Sequence, residues 1–395
     1  MIAIASQLIR RGLRFVSLGI LLAVSVLMKS FLGASRIRVT VMDPRLFGHQ
    51  SLEPEIFALD QLAAQEAGSS DHLFCCLGRK KLASNRYLWQ FTKGRYRTVP
   101  SWLVTDAVFW KQRIELPNLE VLRASIYRLN LLTSQPTTLP KNSSTAARSR
   151  EILSRLKEPH RPHVIFTVRE HSGFRELRNR KIDDFRPAMA ALVARGFNVV
   201  RLTSRSNDPL VGHHDYILDW QVLVNGEPGD ELALMSEASF VVSTTTGGDA
   251  LALAYRKPVL YIDSARFFLM FLGTELATIQ IPEMVDTQNG RTLVLQDILK
   301  RGLGWSGEQS LFIQKGVRVI RSSPEEIRSC VMEYLDLLTS GKVEASESQS
   351  HWRRALEAHH GPQIASIHGE IRARLLPSSR LKFVPIDLKT GEVTG

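Results

Sequence analysis

Hydrophobic and polar positions along this chain switch between two periods, and the switches divide it into elements. Residues 37–42 (Ile-Arg-Val-Thr-Val-Met) alternate with the two-residue period of a strand. A loop carrying Phe47, Gly48, His49 and Gln50 follows, then a helix from Leu52 to Ala67 and a short strand from Leu73 to Leu77. Residues 87–135 mix aromatic and basic residues with helix-like apolar spacing, and pattern alone does not place every element there. Ser134 to Arg150, rich in Ser, Thr, Pro and basic residues, reads as an interdomain linker.

The pattern is clearer beyond the linker. Val164 to Val168 is a buried strand ending at Arg169. Asp183 or Asp184 caps a helix whose apolar face is Phe185, Met189, Leu192 and Val193, and Gly196 closes it. A strand from Phe197 to Leu202 follows. The helix Asp230 to Glu237 precedes the strand Phe240 to Ser243, a short apolar helix and the strand Val259 to Ile262. This alternation predicts an α/β fold with a parallel, doubly wound sheet. Ile364, Ile367, Ile371 and Leu375 line one face of an expected terminal helix packed across both domains.

The segment from Thr244 to Gly248 (Thr-Thr-Thr-Gly-Gly) links the strand ending at Ser243 to the short helix, which is where open α/β sheets bind ligands. Glycines allow close backbone approach, threonine hydroxyls add donors, and open N–H groups at a helix start attract phosphate. Asp249 suits either a cap at the helix start or a contact to sugar hydroxyls. Neither a Walker lysine nor a G-x-G-x-x-G is present, so neither an ATPase nor a dinucleotide dehydrogenase is indicated.

A length of 395 residues suits two globular units, and an apolar content of 44% suffices for packed cores. The net charge is +12. Half of that excess sits before residue 39, where Arg10, Arg11, Arg14, Lys29, Arg36 and Arg38 occur with no Asp or Glu. Between them runs the apolar stretch Phe15 to Met28, short for a spanning helix and followed by cations that disfavour export. A basic, hydrophobic membrane-associating segment over residues 1–36 fits best, held on anionic lipid at the cytoplasmic face; a true span and a signal peptide are the alternatives. No basic-aromatic motif points to nucleic acid. The three cysteines, Cys75, Cys76 and Cys330, form no disulfide or zinc pattern and read as small buried hydrophobes.

Arginine near strand ends is the recurring chemical theme. Arg169, Arg178 and Arg201, with Asn179 beside them, are candidates to converge on one anionic ligand, because the guanidinium fork donates paired hydrogen bonds to phosphate. His49 is the candidate general base. His213, His214 and Asp215 read as a polar loop. No Asp-x-Asp pair occurs, which counts against glycosyltransferases that hold a metal on the donor diphosphate.

The order of Val164–Phe174 (Val-Ile-Phe-Thr-Val-Arg-Glu-His-Ser-Gly-Phe), Leu177–Phe185, Val199–Leu202, Asp230–Leu232, Ser243–Gly248 and Lys257–Val259 resembles a bacterial family assigned as glycosyltransferases and found with surface-carbohydrate genes. The Phe-Gly-His loop and the segment Ser322–Ile327 look similar too, so the resemblance spans roughly 37–340. That family is similar to two-Rossmann-domain (GT-B type) glycosyltransferases, including α-1,6-fucosyltransferases. Their His-Val-Arg segment implies that Arg169 contacts the donor diphosphate. Here Thr167 stands in place of that histidine, and Thr246-Gly247-Gly248 where Ser-Gly is commoner.

The expected organisation is a membrane-associating segment over 1–36, an acceptor domain over 37–140, a donor-binding domain over 155–340 and a tail over 341–395. The expected function is metal-independent transfer of a sugar from a nucleotide-sugar donor, itself a substrate, to a surface-glycan or lipid-linked acceptor. No cofactor is implied. The alternatives are a sugar-nucleotide epimerase of the same fold, which needs carboxylates for proton abstraction, and a non-catalytic membrane-bound nucleotide-binding scaffold.

Overall fold

The computed structural model describes residues 19, 23, 26, 30, 37–42, 47–68, 72–77, 80, 83–99, 113–116, 119–123, 132, 135–170, 176–202, 215–219, 227, 229–267, 274–340, 349–357 and 372–376. The chain divides into two compact units, Met1–Leu131 and Leu132–Gly395.

The first unit is built on a five-stranded sheet. β1 (Ile37–Met42) lies parallel to both β2 (His72–Leu77) and β5 (Leu119–Arg123). The short β3 (Thr98–Val99) extends one edge in parallel, and β4 (Arg113–Leu116) closes the other edge antiparallel to β5. Between β1 and β2 runs α1 (Phe47–Glu66), and between β2 and β3 runs α2 (Arg86–Arg95). The expected Phe47–Gln50 loop is therefore the first turn of a helix. Its side chains explain the early start: the Ser51 hydroxyl donates back to the carbonyls of Phe47 and Gly48 at 3.1 Å each, closing the turn. Met42, Phe57, Ala58, Cys75 and Tyr96 form the core here, with Phe57 and Tyr96 edge to face at 5.1 Å. Burial pushes the Cys75 and Cys76 thiols up to about 12, so both remain inert packing groups.

The second unit contains a seven-stranded, wholly parallel sheet. In chain order its strands are β6 (His163–Thr167), β7 (Asn198–Arg201), β8 (Ile217–Asp219), β9 (Phe240–Ser243), β10 (Val259–Tyr261), β11 (Ala277–Ile279) and β14 (Arg374–Leu375). Across the sheet they run β14-β11-β10-β9-β6-β7-β8. A separate antiparallel pair joins β12 (Glu283–Asp286) to β13 (Val317–Ile320).

Alternate strand residues serve opposite faces. Val164, Phe166, Val199, Phe240, Val242 and Leu260 meet Phe185, Met189 and Leu192 on one face, together with Ile327, Val331 and Tyr334. Those partners come from α4 (Arg186–Ala194), the turn before it, and α9 (Pro324–Ser340). The four residues of the apolar face expected around Met189 are thus in place. Their helix starts later than expected, because Ile182–Phe185 is a 3₁₀ turn and Pro187 sits in the first α-helical turn. Asp183 and Asp184 do not cap it; they pair with Arg186 and Arg180 at 2.5 and 3.2 Å.

The expected linker is overturned in its second half. Ser143–Leu153 is a helix, α3, whose start is fixed by a reciprocal cap: Thr145 N–H donates to the Asn142 side chain, and Asn142 N–H donates to Thr145 Oγ1. Arg148 from α3 grips the buried carboxylate of Asp230, the first residue of α5 (Asp230–Glu237), in a fork with 2.6 and 2.9 Å arms. Polar composition misled because its Ser, Thr and Arg residues cap and tether a helix instead of solvating a loop.

The expected terminal helix at Ile364, Ile367 and Ile371 lies outside the described residues, while Leu375 belongs to β14. The expected membrane segment also lies outside them, apart from Gly19, Ala23, Val26 and Ser30, which are helical and exposed. Among the described residues, no helix is long and apolar enough to cross a membrane.

Candidate functional site

Strand order reverses beside β6. The chain proceeds from β6 to β7 and β8 on one side, then returns through α5 to β9 on the other. Segments that leave β6 and β9 at their carboxyl ends therefore part around a reversal point, the place where parallel sheets open a crevice for ligands. Arg169 follows β6 and Thr244 follows β9. The Arg169 N–H donates to Thr244 Oγ1 at 2.8 Å, and the Arg169 carbonyl accepts from the Arg180 N–H at 2.8 Å. Both bonds run through main chain, so the residue's place is set independently of its side chain, which is half-buried.

The loop after β9 is bound to itself. Ser243 Oγ accepts from the N–H groups of Thr245 (3.0 Å) and Thr246 (3.4 Å), and donates to Asp249 Oδ2 at 3.2 Å. The Gly248 N–H donates to Thr246 Oγ1 at 3.1 Å. This corrects the expectation of open N–H donors: those of 245, 246 and 248 are taken up within the loop. Thr245 stands at φ 66°, a left-handed conformation that costs a β-branched residue roughly 1–2 kcal/mol. Gly247 is the N-cap of the following helix, α6 (Gly248–Ala254). A Cβ on Gly248 would stand 2.6 Å from Thr167 Cγ2, so this glycine lets α6 close onto the end of β6. Thr167 thus has a packing role at the position where the resembling family has histidine. Its Oγ1, also buried, finds no hydrogen-bond partner among the described residues.

Asp249 is 1% exposed at the start of α6. Burial pushes its carboxyl up to about 7; the nearby Arg178 guanidinium and hydrogen bonds from Ala250, Ser243 and Thr246 work in the opposite direction. Arg178 therefore stands within electrostatic reach of the loop. Asp249 sits in the first turn of this seven-residue helix, its carboxyl accepting from Ser243 Oγ.

The other candidates are placed differently. Arg201, the last residue of β7, is 1% exposed and lies between Glu170 Oε2 and Asp219 Oδ2, the latter at 2.9 Å. Two carboxylates already neutralise it, so it does not converge with Arg169 on an anion. The Asn179 carbonyl accepts from Arg321 at 2.8 Å. His49 lies in the first turn of α1, in the other unit, and its side chain is outside the described residues, as are His213 and His214. Among the described residues, no group of three or more His, Cys, Asp or Glu side chains is arranged to hold a metal ion.

One cluster went unread in the sequence. Buried Arg180 donates to Asp263 Oδ2 at 2.9 Å and to the Ser322 carbonyl at 2.7 Å. Asp263 also accepts from the Ser322 hydroxyl at 2.8 Å, and its N–H donates to Gln280 Oε1 at 2.6 Å. This network ties the carboxyl ends of β10 and β11 to the segment bearing Arg178 and Asn179. The available signal was the carboxylate at or just after an apolar strand, which Glu170, Asp219 and Asp263 share.

No family model and no curated protein matches the sequence. Among solved structures, the chain resembles the ADP-heptose lipopolysaccharide heptosyltransferase II of Escherichia coli, with 14% identity over 78% of this chain and 100% of that one, at a TM-score of 0.43. It also resembles a family 9 glycosyl transferase of Veillonella parvula, with 10% identity over 58% and 81% of the two chains and a TM-score of 0.36. A second E. coli heptosyltransferase, WaaC, solved with an ADP-fluoroheptose, gives 12% identity over 58% and 89%, with a TM-score of 0.32. These identities and TM-scores are too low to assign this chain a family or a reaction.

Proposed function

We propose that the protein is a glycosyltransferase that moves a sugar from a nucleotide-sugar donor to a glycan or lipid-linked acceptor. The observation that carries the reading is the reversal point of the second unit's sheet, where Arg169 is locked by main chain to the Thr244 loop. The sequence resemblance supports the same reaction class. Arg169, with Arg178 near the loop, meets the donor diphosphate and stabilises the charge that builds as it departs. Guanidinium groups can supply that stabilisation, so the reaction proceeds without a divalent ion. Half-buried Thr245 offers a hydroxyl beside the site, while Thr246 Oγ1 is taken by the Gly248 N–H and Asp249 holds the loop from beneath through Ser243. His49 is the proposed general base for the acceptor hydroxyl, and residues 1–36 are the proposed hold on the cytoplasmic face of an anionic membrane.

Calorimetric titration with UDP-, GDP-, ADP- and CMP-sugars, with product analysis in excess EDTA, tests the reading. Binding of one donor with slow, chelator-resistant release of its sugar is expected. Interconversion of the bound sugar identifies an epimerase, absence of binding identifies a scaffold, and turnover that EDTA abolishes and Mg²⁺ restores contradicts the metal-independent site.

A further inference from the structure

We propose that the outer face of α2 in the first unit is a docking surface for anionic lipid bilayers, separate from residues 1–36 and independent of glycosyl transfer. From residue 72 to residue 105 the chain carries seven cations (Arg79, Lys80, Lys81, Arg86, Lys93, Arg95 and Arg97) and no Asp or Glu. At 100° per residue, Leu88 and Thr92 point one way and are buried. Arg86, Tyr87, Gln90 and Lys93 span the opposite arc and are exposed. The half-buried rings of Trp89 and Phe91 border this arc on its two sides. Lys93 Nζ lies 5.3 Å from the Trp89 ring centre and the Arg95 guanidinium 5.5 Å from that of Phe91, each one helical turn on.

This is the chemistry of an interfacial helix: a cationic strip for headgroup phosphates, edged by amphipathic aromatics that settle at headgroup depth. The inner side of Trp89 joins Met42, Pro54, Leu77 and Leu88 around a small pocket, so one side of the ring faces its own unit. The rings discriminate against single-stranded nucleic acid as the partner. Base stacking needs open ring faces, and here cations already lie over Trp89 and Phe91.

The test uses the full chain with Tyr87→Cys carrying a polarity-sensitive fluorophore; the native cysteines are all buried and stay unlabelled. Vesicles of phosphatidylcholine mixed with phosphatidylglycerol are expected to blue-shift the label, and phosphatidylcholine alone is not. A label at Ile313→Cys, exposed in the second unit, stays unchanged. Adding Arg86→Glu and Lys93→Glu is expected to weaken the response about 25-fold or more, since each cation contributes about fivefold on anionic lipid. An unchanged thermal melt confirms that this variant is folded. The proposal is overturned if the Tyr87→Cys label stays water-like while the protein sediments with vesicles, which places binding elsewhere. It is equally overturned if no vesicle binding occurs, or if soluble polyphosphate shifts the label and vesicles do not.

Discussion

Arg169 and Arg201 leave adjacent parallel strands at the same edge of one sheet, and they stand in opposite circumstances. Arg201 is sealed between Glu170 and Asp219, its charge consumed by the fold. Arg169 is fixed by its own N–H and carbonyl, and its half-buried side chain contributes to neither of those bonds. The difference teaches that an arginine after an apolar strand is ambiguous until the strand-end carboxylates are located. A guanidinium enclosed by two carboxylates is part of the scaffold; Arg169, set in place by its own N–H and carbonyl beside the Thr244 loop, is the one proposed to meet the donor diphosphate.

The largest expected effect breaks the comparison at Arg201. Arg201→Met leaves two buried carboxylates without their shared cation and should destabilise the second unit by about 3–5 kcal/mol, a larger loss than Arg169→Met, whose side chain is half-buried and not sealed. Chemical denaturation of both variants reads the difference, and equal losses would show that the two arginines share one role.

Asp249 sharpens the comparison on the other side of the reversal. Its folded pKa, about 7, lies above the unfolded value near 3.9, so the folded state binds the proton more tightly. Its contribution to stability is thus fully present at acid pH and is lost as pH rises from about 4 through 7, on the order of 4 kcal/mol at most. The stability of wild type relative to Asp249→Asn should fall across that window and level off above it. A difference independent of pH, followed by urea midpoints, would show that the carboxyl is not held protonated.

A smaller effect concerns the closure of α6 on β6. Gly248→Ala should cost about 1–3 kcal/mol through overpacking against Thr167. Thr167→Ser removes the clashing Cγ2, so the double variant should recover most of that loss in a thermal melt. Full additivity of the two changes would mean that the contact does not set the helix position.

Much of the second unit was legible in the sequence, because fully buried parallel strands such as Val164–Val168 and Phe240–Ser243 stand out as apolar runs bounded by polar loops. Helix Asp230–Glu237 was legible end to end. The start of α1 and the helix at Ser143–Leu153 were not, because side-chain hydrogen bonds from Ser51 and Asn142 organise stretches whose composition resembles loops. Pattern singled out Arg169 and the Thr244–Gly248 loop, and the structure brings the two together through the Arg169 N–H and Thr244 Oγ1. The fate of the loop's N–H groups was hidden, since it depends on Ser243 and Thr246 turning their hydroxyls inward. Arg201 was misplaced for a related reason: the pairing with Asp219 spans a strand crossover that periodicity does not reveal.

The most direct test of the reversal-point site is calorimetric titration of the nucleotide sugar that binds wild type into Arg169→Ala, alongside Arg201→Lys as a folded variant that keeps the buried charge. Loss of about 2–3 kcal/mol of binding free energy in Arg169→Ala, with an unchanged melting temperature and near-normal binding by Arg201→Lys, is the predicted result. Undiminished binding by a folded Arg169→Ala would contradict the account.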